Sequence, residues 1–182
     1  MQIGEGAACL VLERGNDSTR AGSRYTFAGG YLFSDNTSLT SAGTDGAMVD
    51  SVVREALRRA DIRTDDIVAI KAHGTGTQDN DLSEGRGLVR VFGEKLPPVV
   101  SLKGAIGHQL GAAGAVETAL WLSCLEAGTI PVSFGFTEVD PKIGFAPSQV
   151  NRPAPDGAYL FNFFGFGATC TSYVIEKESY KS

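Results

Sequence analysis

Between residues 110 and 127 the chain carries only two charges, Glu117 and Glu126, while alanine, leucine, valine and Trp121 fall on every side of the helix that this composition specifies. At 100° per residue, Leu120, Trp121, Leu122 and Leu125 point in nearly all directions. A helix apolar all round must be buried all round. The alternative is a membrane span, but the run is barely long enough, is rich in Gly and Ala and lacks flanking anchors, so a buried helix of a soluble protein is the better reading. One sheet covers one side of such a helix, and the chain has strands for one sheet. Something else is therefore expected to cover the other side.

The rest of the pattern is that of an α/β chain. Residues 6–13 and 25–33 read as strands, expected to be neighbours, joined by a polar segment. Thr44-Asp45-Gly46 is a capping sequence for a helix through Ala60, whose apolar face of Met48, Val52, Val53, Ala56, Leu57 and Ala60 opposes Asp50, Arg54, Arg58 and Arg59. A short strand at 67–72, a loop HGTGTQDND, a helix over about 82–92 and a strand at 99–102 follow. This alternation predicts strands that are largely buried and parallel. All 182 residues are read as one domain.

A net charge of −5 with dispersed basic residues gives no field for holding a polyanion, so nucleic acid is not an expected partner. Cys9, Cys124 and Cys170 are odd in number and far apart, which suggests neither a disulfide framework nor a cysteine zinc site and points to a reducing cytoplasm. The N-terminal MQIGEGAACLVLER has no basic region before its apolar stretch; it is read as part of a fold already under way, not as a signal peptide.

Chemistry concentrates at the ends of the predicted strands. His73, in KAHGTGTQDND, follows the strand at 67–72, where open α/β sheets place ligands, and the surrounding glycines and the hydroxyls of Thr75 and Thr77 favour close approach of a bound group. His108, in SLKGAIGHQLGAAG, follows the next strand in the same way, with Lys103 five residues earlier. Both histidines of the chain thus belong to one edge of one sheet. Gly107, Gly111 and Gly114 do not make a nucleotide-binding fingerprint: the Gly-x-Gly-x-x-Gly spacing and a Walker lysine are lacking, and small residues here suit helix packing. A zinc site from His73, His108 and Asp79 or Asp81 matches no established ligand spacing, and no metal is expected. NFFGFGATCTS at 162–172 reads as a strand, a Gly-Phe-Gly turn and a second strand.

Taken together and in this order, GEGAACLVLE at 4–13, AHGTGT at 72–77, SLKGAIGHQLGAAGAVE at 101–117 and NFFGFGAT at 162–169 resemble the C-terminal half of the β-ketoacyl-acyl carrier protein synthases. The resemblance implies the thiolase-like fold, a five-layered αβαβα sandwich of two similar halves, each sending one buried helix into the central layer; the helix at 110–127 would be this half's. It implies a decarboxylative Claisen condensation in fatty acid, polyketide or polyene synthesis. A cysteine carries the acyl chain, and a malonyl thioester on an acyl carrier protein is decarboxylated to the attacking enolate. His73 and His108 would be the active-site histidines, donating to the thioester oxygen. Lys103 resembles the family's lysine and Glu84 its acidic partner, the pair orienting His108. Thr75 and Thr77 would bind the pantetheine arm, and Phe166 would be the acyl gate. No cofactor is implied beyond the phosphopantetheine of the carrier protein. The implied partners are that carrier protein, the N-terminal half, and a second copy or a sister chain in a homodimer or heterodimer.

The family's nucleophile lies in a Cys-Ser-rich turn of the N-terminal half, and no such segment occurs in these 182 residues. Cys170 stands where an asparagine is usual and reads as a structural strand residue; Ala168 replaces a usual glycine, and Lys71 stands where many members have glutamate. The alternative to a catalytic half is a non-catalytic subunit or scaffold pairing with another condensing-enzyme chain. Retention of His73, His108 and Lys103 argues for the catalytic reading.

Overall fold

The computed structural model describes residues 1–14, 24–34, 43–165, 167 and 169–178. The strands expected at 25–33, 67–72 and 99–102 are β1 (Tyr25–Ser34), β2 (Ile67–Lys71) and the short β3 (Val99–Val100). After two further short strands, β4 (Thr129–Ile130) and β5 (Arg152–Pro153), which pair with each other, come β6 (Gly157–Gly165) and β7 (Thr169–Lys177). The main sheet runs β1-β7-β6-β2-β3. It is mixed, which corrects the expectation of largely parallel strands. β2 is parallel to β3 and β6, whereas β7 is antiparallel to both β6 and β1. The reason is local: the turn between Gly165 and Thr169 is too short for the crossover that parallel pairing needs.

Side chains alternate across this sheet, so each strand serves two cores. Ile70, Leu160 and Val174 face helices α1 (Ala47–Ala60) and α2 (Gln78–Phe92), where Val49, Val52, Val53 and Leu88 complete the cluster. Ala69, Tyr159, Phe161 and Ile175 face Trp121 and Leu125 of helix α4 (Ala113–Glu126). The result is three layers, helices on both sides of one sheet. The N-cap position of α1 is Gly46, without a side-chain cap; one residue earlier, the Asp45 carboxylate accepts the Ala47 N–H at 3.0 Å, so the expected Thr44-Asp45-Gly46 segment satisfies one free amide of the first turn. α2 begins a turn earlier than expected, with Asp79 and Asp81 in its first turn, where carboxylates favour the positive end of the helix.

α4 buries one stripe, formed by Ala113, Glu117, Thr118, Trp121 and Leu125. Its far side is open, with Leu120 40% exposed and Leu110, in the turn that leads into it, 53% exposed. One sheet covers one face, and the burial on all sides demanded by the composition is met here on one side only. The strand expected at 6–13 does not form either. Apart from an isolated bridge between Ile3 and His108, residues 1–14 pair with no strand among the described residues, and Val11 and Leu12 are 84% and 83% exposed. A strand exists only by pairing. Its expected neighbour β1 instead joins β7.

Trp121→Ala should therefore cost about 3–5 kcal/mol in chemical denaturation, whereas Leu120→Ser should leave stability nearly unchanged and lower hydrophobic-dye binding and self-association of the 182-residue chain. A larger loss from Leu120→Ser than from Trp121→Ala would show that the outer face of α4 is covered after all.

Candidate active site

Parallel pairing of β2 and β3 sets the site. Ala72 N–H donates to the Val100 carbonyl at 2.8 Å, so the two chains leave the sheet side by side and place His73 beside the short helix α3 (Lys103–Ile106). Gly74 has φ +44°, and a side chain there would collide with Ser101, whose hydroxyl donates to the Gly74 carbonyl at 2.7 Å. Gly107 has φ +72° and lies against Gly4; next to it, His108 donates its N–H to the Gln2 carbonyl (2.8 Å) and accepts from Gly4 N–H (3.0 Å). These turns bring the imidazoles of His73 and His108 edge to face, with ring centroids 5.3 Å apart; the Phe164 ring lies 5.2 Å from His73.

The proton positions follow from the partners. Lys103 Nζ lies 2.7 Å from the His73 carbonyl oxygen, to which it donates, and 3.4 Å from His73 Nδ1. An ammonium offers only donors, so Nδ1 is the accepting nitrogen and the ring proton is on Nε2. His108 Nδ1 accepts the Leu110 N–H at 3.0 Å, which gives the same tautomer. Burial first, and then the Lys103 charge, push His73 down to about 2; the same two causes lower His108. Both rings are thus neutral near pH 7 and carry a donor at Nε2.

Beneath them lies a buried charge network that the sequence reading assigned only in part. Lys103 Nζ meets Glu117 Oε1 at 2.5 Å, and Lys71 Nζ meets Glu117 Oε2 at 2.6 Å. Lys71 also donates to the Asn162 carbonyl at 3.1 Å and lies 3.5 Å from the centre of the Phe163 ring. The expected Lys103–Glu84 pair is corrected on both counts. Glu84 accepts the N–H groups of His73 and Gly74 at 2.8 Å each and Asn162 Nδ2 at 3.2 Å, and the residue that pairs with Lys103 is Glu117. Lys103 also contacts His73, and so does not orient His108 as expected; the Leu110 amide does that. Burial raises the Glu84 carboxyl against the opposing pull of its two amide donors, and burial drives Lys71 well below the usual lysine range.

Glu117 and Lys71 are the buried ion-pair residues to which the motif reading gave no role in the site. The signal was present: Glu117 is the charge inside a helix whose composition demands burial, and a buried carboxylate requires a cation. Thr75 and Thr77 share a hydroxyl–hydroxyl hydrogen bond of 2.8 Å and line a cavity of about 620 Å³, together with Glu84, Lys103, Phe134 and Phe136. The two imidazoles are not part of its lining. Phe166 and Ala168 lie outside the described residues. Cys170 is fully buried on β7, paired with Phe33 and Phe164, and burial raises its thiol, so it has none of the features of an activated nucleophile. Among the described residues no group of three His, Cys, Asp or Glu side chains is arranged to hold a metal ion, and no helix is long and apolar enough to cross a membrane.

A family model described as Beta-ketoacyl synthase, C-terminal domain, matches residues 26–137. The chain belongs to the β-ketoacyl synthase family. It is 32% identical over 170 residues to 3-oxoacyl-[acyl-carrier-protein] synthase 2 of Mycobacterium tuberculosis (strain ATCC 25618 / H37Rv), covering 91% of this chain and 40% of that protein. It is 35% identical over 181 residues to the tetracenomycin polyketide synthase ketoacyl synthase alpha subunit of Streptomyces glaucescens, covering 96% and 42%. The fold is similar to that of a ketosynthase solved in complex with its chain length factor, from Xenorhabdus doucetiae, at TM-score 0.75 and 30% identity, covering 88% of this chain and 41% of that one. The chain therefore spans about two fifths of the length of the curated relatives it matches. The fold is that of the C-terminal half of a thiolase-like ketosynthase.

Because His73 has a lower pKa folded than unfolded, the unfolded chain binds the extra proton between about 2 and 6.5. Stability should rise with pH across that window and be undiminished above 6.5 on this account. NMR titration should find His73 neutral at pH 5, and His73→Gln should flatten the acid limb of the stability curve. A His73 ring that protonates near 6.5 would contradict the burial assigned to it.

Proposed function

We propose that this chain is the decarboxylating half of a β-ketoacyl-acyl carrier protein synthase, with His73 and His108 as its catalytic residues. The observation that carries the reading is the pair of neutral imidazoles, ring centroids 5.3 Å apart, each with Nδ1 occupied as an acceptor. Two Nε2–H donors on adjacent rings suit a thioester oxygen that gains charge. When the bond between the malonyl carboxylate and its methylene breaks, carbon dioxide leaves and the electron pair passes into an enolate. Its oxygen is the atom the two donors would hold. The enolate carbon then attacks the acyl thioester on a cysteine, forming the new carbon–carbon bond and expelling the thiolate.

Lys103 supports the reaction through His73, and Glu84 through the backbone amides of His73 and Gly74. The hydroxyls of Thr75 and Thr77, on the wall of the cavity, suit the amides of a pantetheine arm. Phe166, in the Gly-Phe-Gly turn, is assigned the acyl gate on the resemblance alone. The carrier protein is the partner this chemistry requires, since the arm must be delivered from outside; its phosphopantetheine is the only prosthetic group invoked. The nucleophile must come from a segment other than these 182 residues, in a cytoplasmic homodimer or heterodimer. Cys9 and Cys124 do not supply it: Cys9 is exposed on the N-terminal segment and opens no helix, and burial raises the Cys124 thiol.

In the protein that joins this chain to its cysteine-bearing segment, His73→Ala and His108→Ala should each slow malonyl-carrier-protein decarboxylation by about 10²–10³-fold while self-acylation of the cysteine persists in part. Cys170→Ala should leave turnover unchanged. Product mass analysis reads both. Parental decarboxylation in either histidine variant, or loss of turnover in Cys170→Ala, would overturn the assignment, and a parental protein without decarboxylation would favour a non-catalytic subunit.

A further inference from the structure

Lys71 takes no part in the chemistry above, yet it is one of the largest fully buried side chains in the chain. Its ammonium forms an ion pair with Glu117 Oε2 at 2.6 Å, donates to the Asn162 carbonyl at 3.1 Å and lies over the Phe163 ring. Lys103 forms an ion pair with Glu117 Oε1 at 2.5 Å, donates to the His73 carbonyl at 2.7 Å and, more weakly at 3.4 Å, contacts His73 Nδ1. The two lysines divide one carboxylate between them. If Oε2 lost its partner, the nearest replacement donor would be the Lys103 ammonium, and the N–H it would give up is its longest contact, the one on His73 Nδ1.

We propose that Lys71 is a positioning residue for His73: by occupying Glu117 Oε2 it leaves Lys103 a single carboxylate oxygen to satisfy, and so keeps an ammonium proton on His73 Nδ1 and the ring proton on Nε2. The charged and titratable groups that face Lys71 are Glu117 from α4, Lys103 from α3, Glu84 from α2, and the two histidines at the strand ends. Burial lowers the Lys71 ammonium, against the pull of Glu117. The consequence for rate rests on the ketosynthase reading. The tautomer of His73 does not.

The test is nitrogen-15 NMR of the His73 ring in the protein within its native assembly, for the parent, Lys71→Gln, Lys71→Met and Lys71→Arg, together with malonyl-thioester decarboxylation. The parent should show one tautomer with the proton on Nε2. Lys71→Gln should show averaged ring-nitrogen shifts and a decarboxylation rate lower by up to roughly 10²-fold, the scale of a displaced catalytic group. Lys71→Arg should restore both. Lys71→Met, which removes every donor at similar side-chain length, should show the same averaging and decides the matter if Lys71→Gln does not fold. Identical His73 nitrogen shifts in the parent and in Lys71→Gln or Lys71→Met would overturn the positioning role whatever the activity. A parent that decarboxylates nothing yet shows the Lys71-dependent tautomer would remove the ketosynthase reading and support the positioning role.

Discussion

The Glu117 carboxylate, fully buried between two ammonium groups, is the contact on which the site depends. Desolvating a carboxylate is expensive enough that it remains charged in an interior only when cations and hydrogen bonds surround it. Here the cations come from different elements, Lys71 from the end of β2 and Lys103 from the start of α3, so a single charge ties α4 to both strand ends that carry the histidines. Hydrophobic packing of Trp121 and Leu125 against Tyr159 and Phe161 holds α4 on the sheet but is indifferent to small shifts along it. The ion pairs are not, because their geometry fails within an ångström or two. Apolar burial thus supplies the attraction and Glu117 supplies the register.

The second constraint is backbone strain next to His108. Leu110 has φ +52°, a conformation unfavourable for a branched side chain, and its N–H is the group that holds His108 Nδ1. The tight turn Leu110–Ala112 that leads into α4 aims that amide back at the ring. His73 reaches the same tautomer by another route, through a lysine. One imidazole is set by backbone and the other by a side-chain network, so the two donors depend on different parts of the structure.

Much of this was legible in the sequence, for identifiable reasons. Strand ends bearing His73 and His108 were readable because short apolar runs precede them, and α1 because its period is clean from Ala47 to Ala60. Two things were not. The partner of Lys103 was sought eleven residues after His73, at Glu84, although Glu117 is the nearer in space; ion-pair partners are decided by which helix packs where, which spacing along the chain does not reveal. The N-terminal run at 6–13 was read as a strand from its composition, but pairing is a tertiary property, and a run with Val11 and Leu12 exposed has strand character without a strand. The mixed sheet was half-visible, since the Gly-Phe-Gly hairpin was recognised while its effect on the direction of β7 was not drawn out.

The two faces of α4 show how assembly and chemistry meet in this half-fold. Its inner stripe carries Glu117; its outer side, with Leu120 and the neighbouring Leu110, is apolar and exposed. Leu110 belongs to both, because its side chain is on the outer side while its amide holds His108. A layer packed over that side would remove apolar surface from water and at the same time confine the strained turn that sets the His108 tautomer. Without such a layer, a residue with φ +52° and an exposed side chain has little to keep it there. The inner network around Glu117 is sealed by this chain's own sheet and needs no help. Of the two histidines, His108 is consequently the one whose geometry is coupled to what covers α4, and His73 the one this chain holds in place by itself.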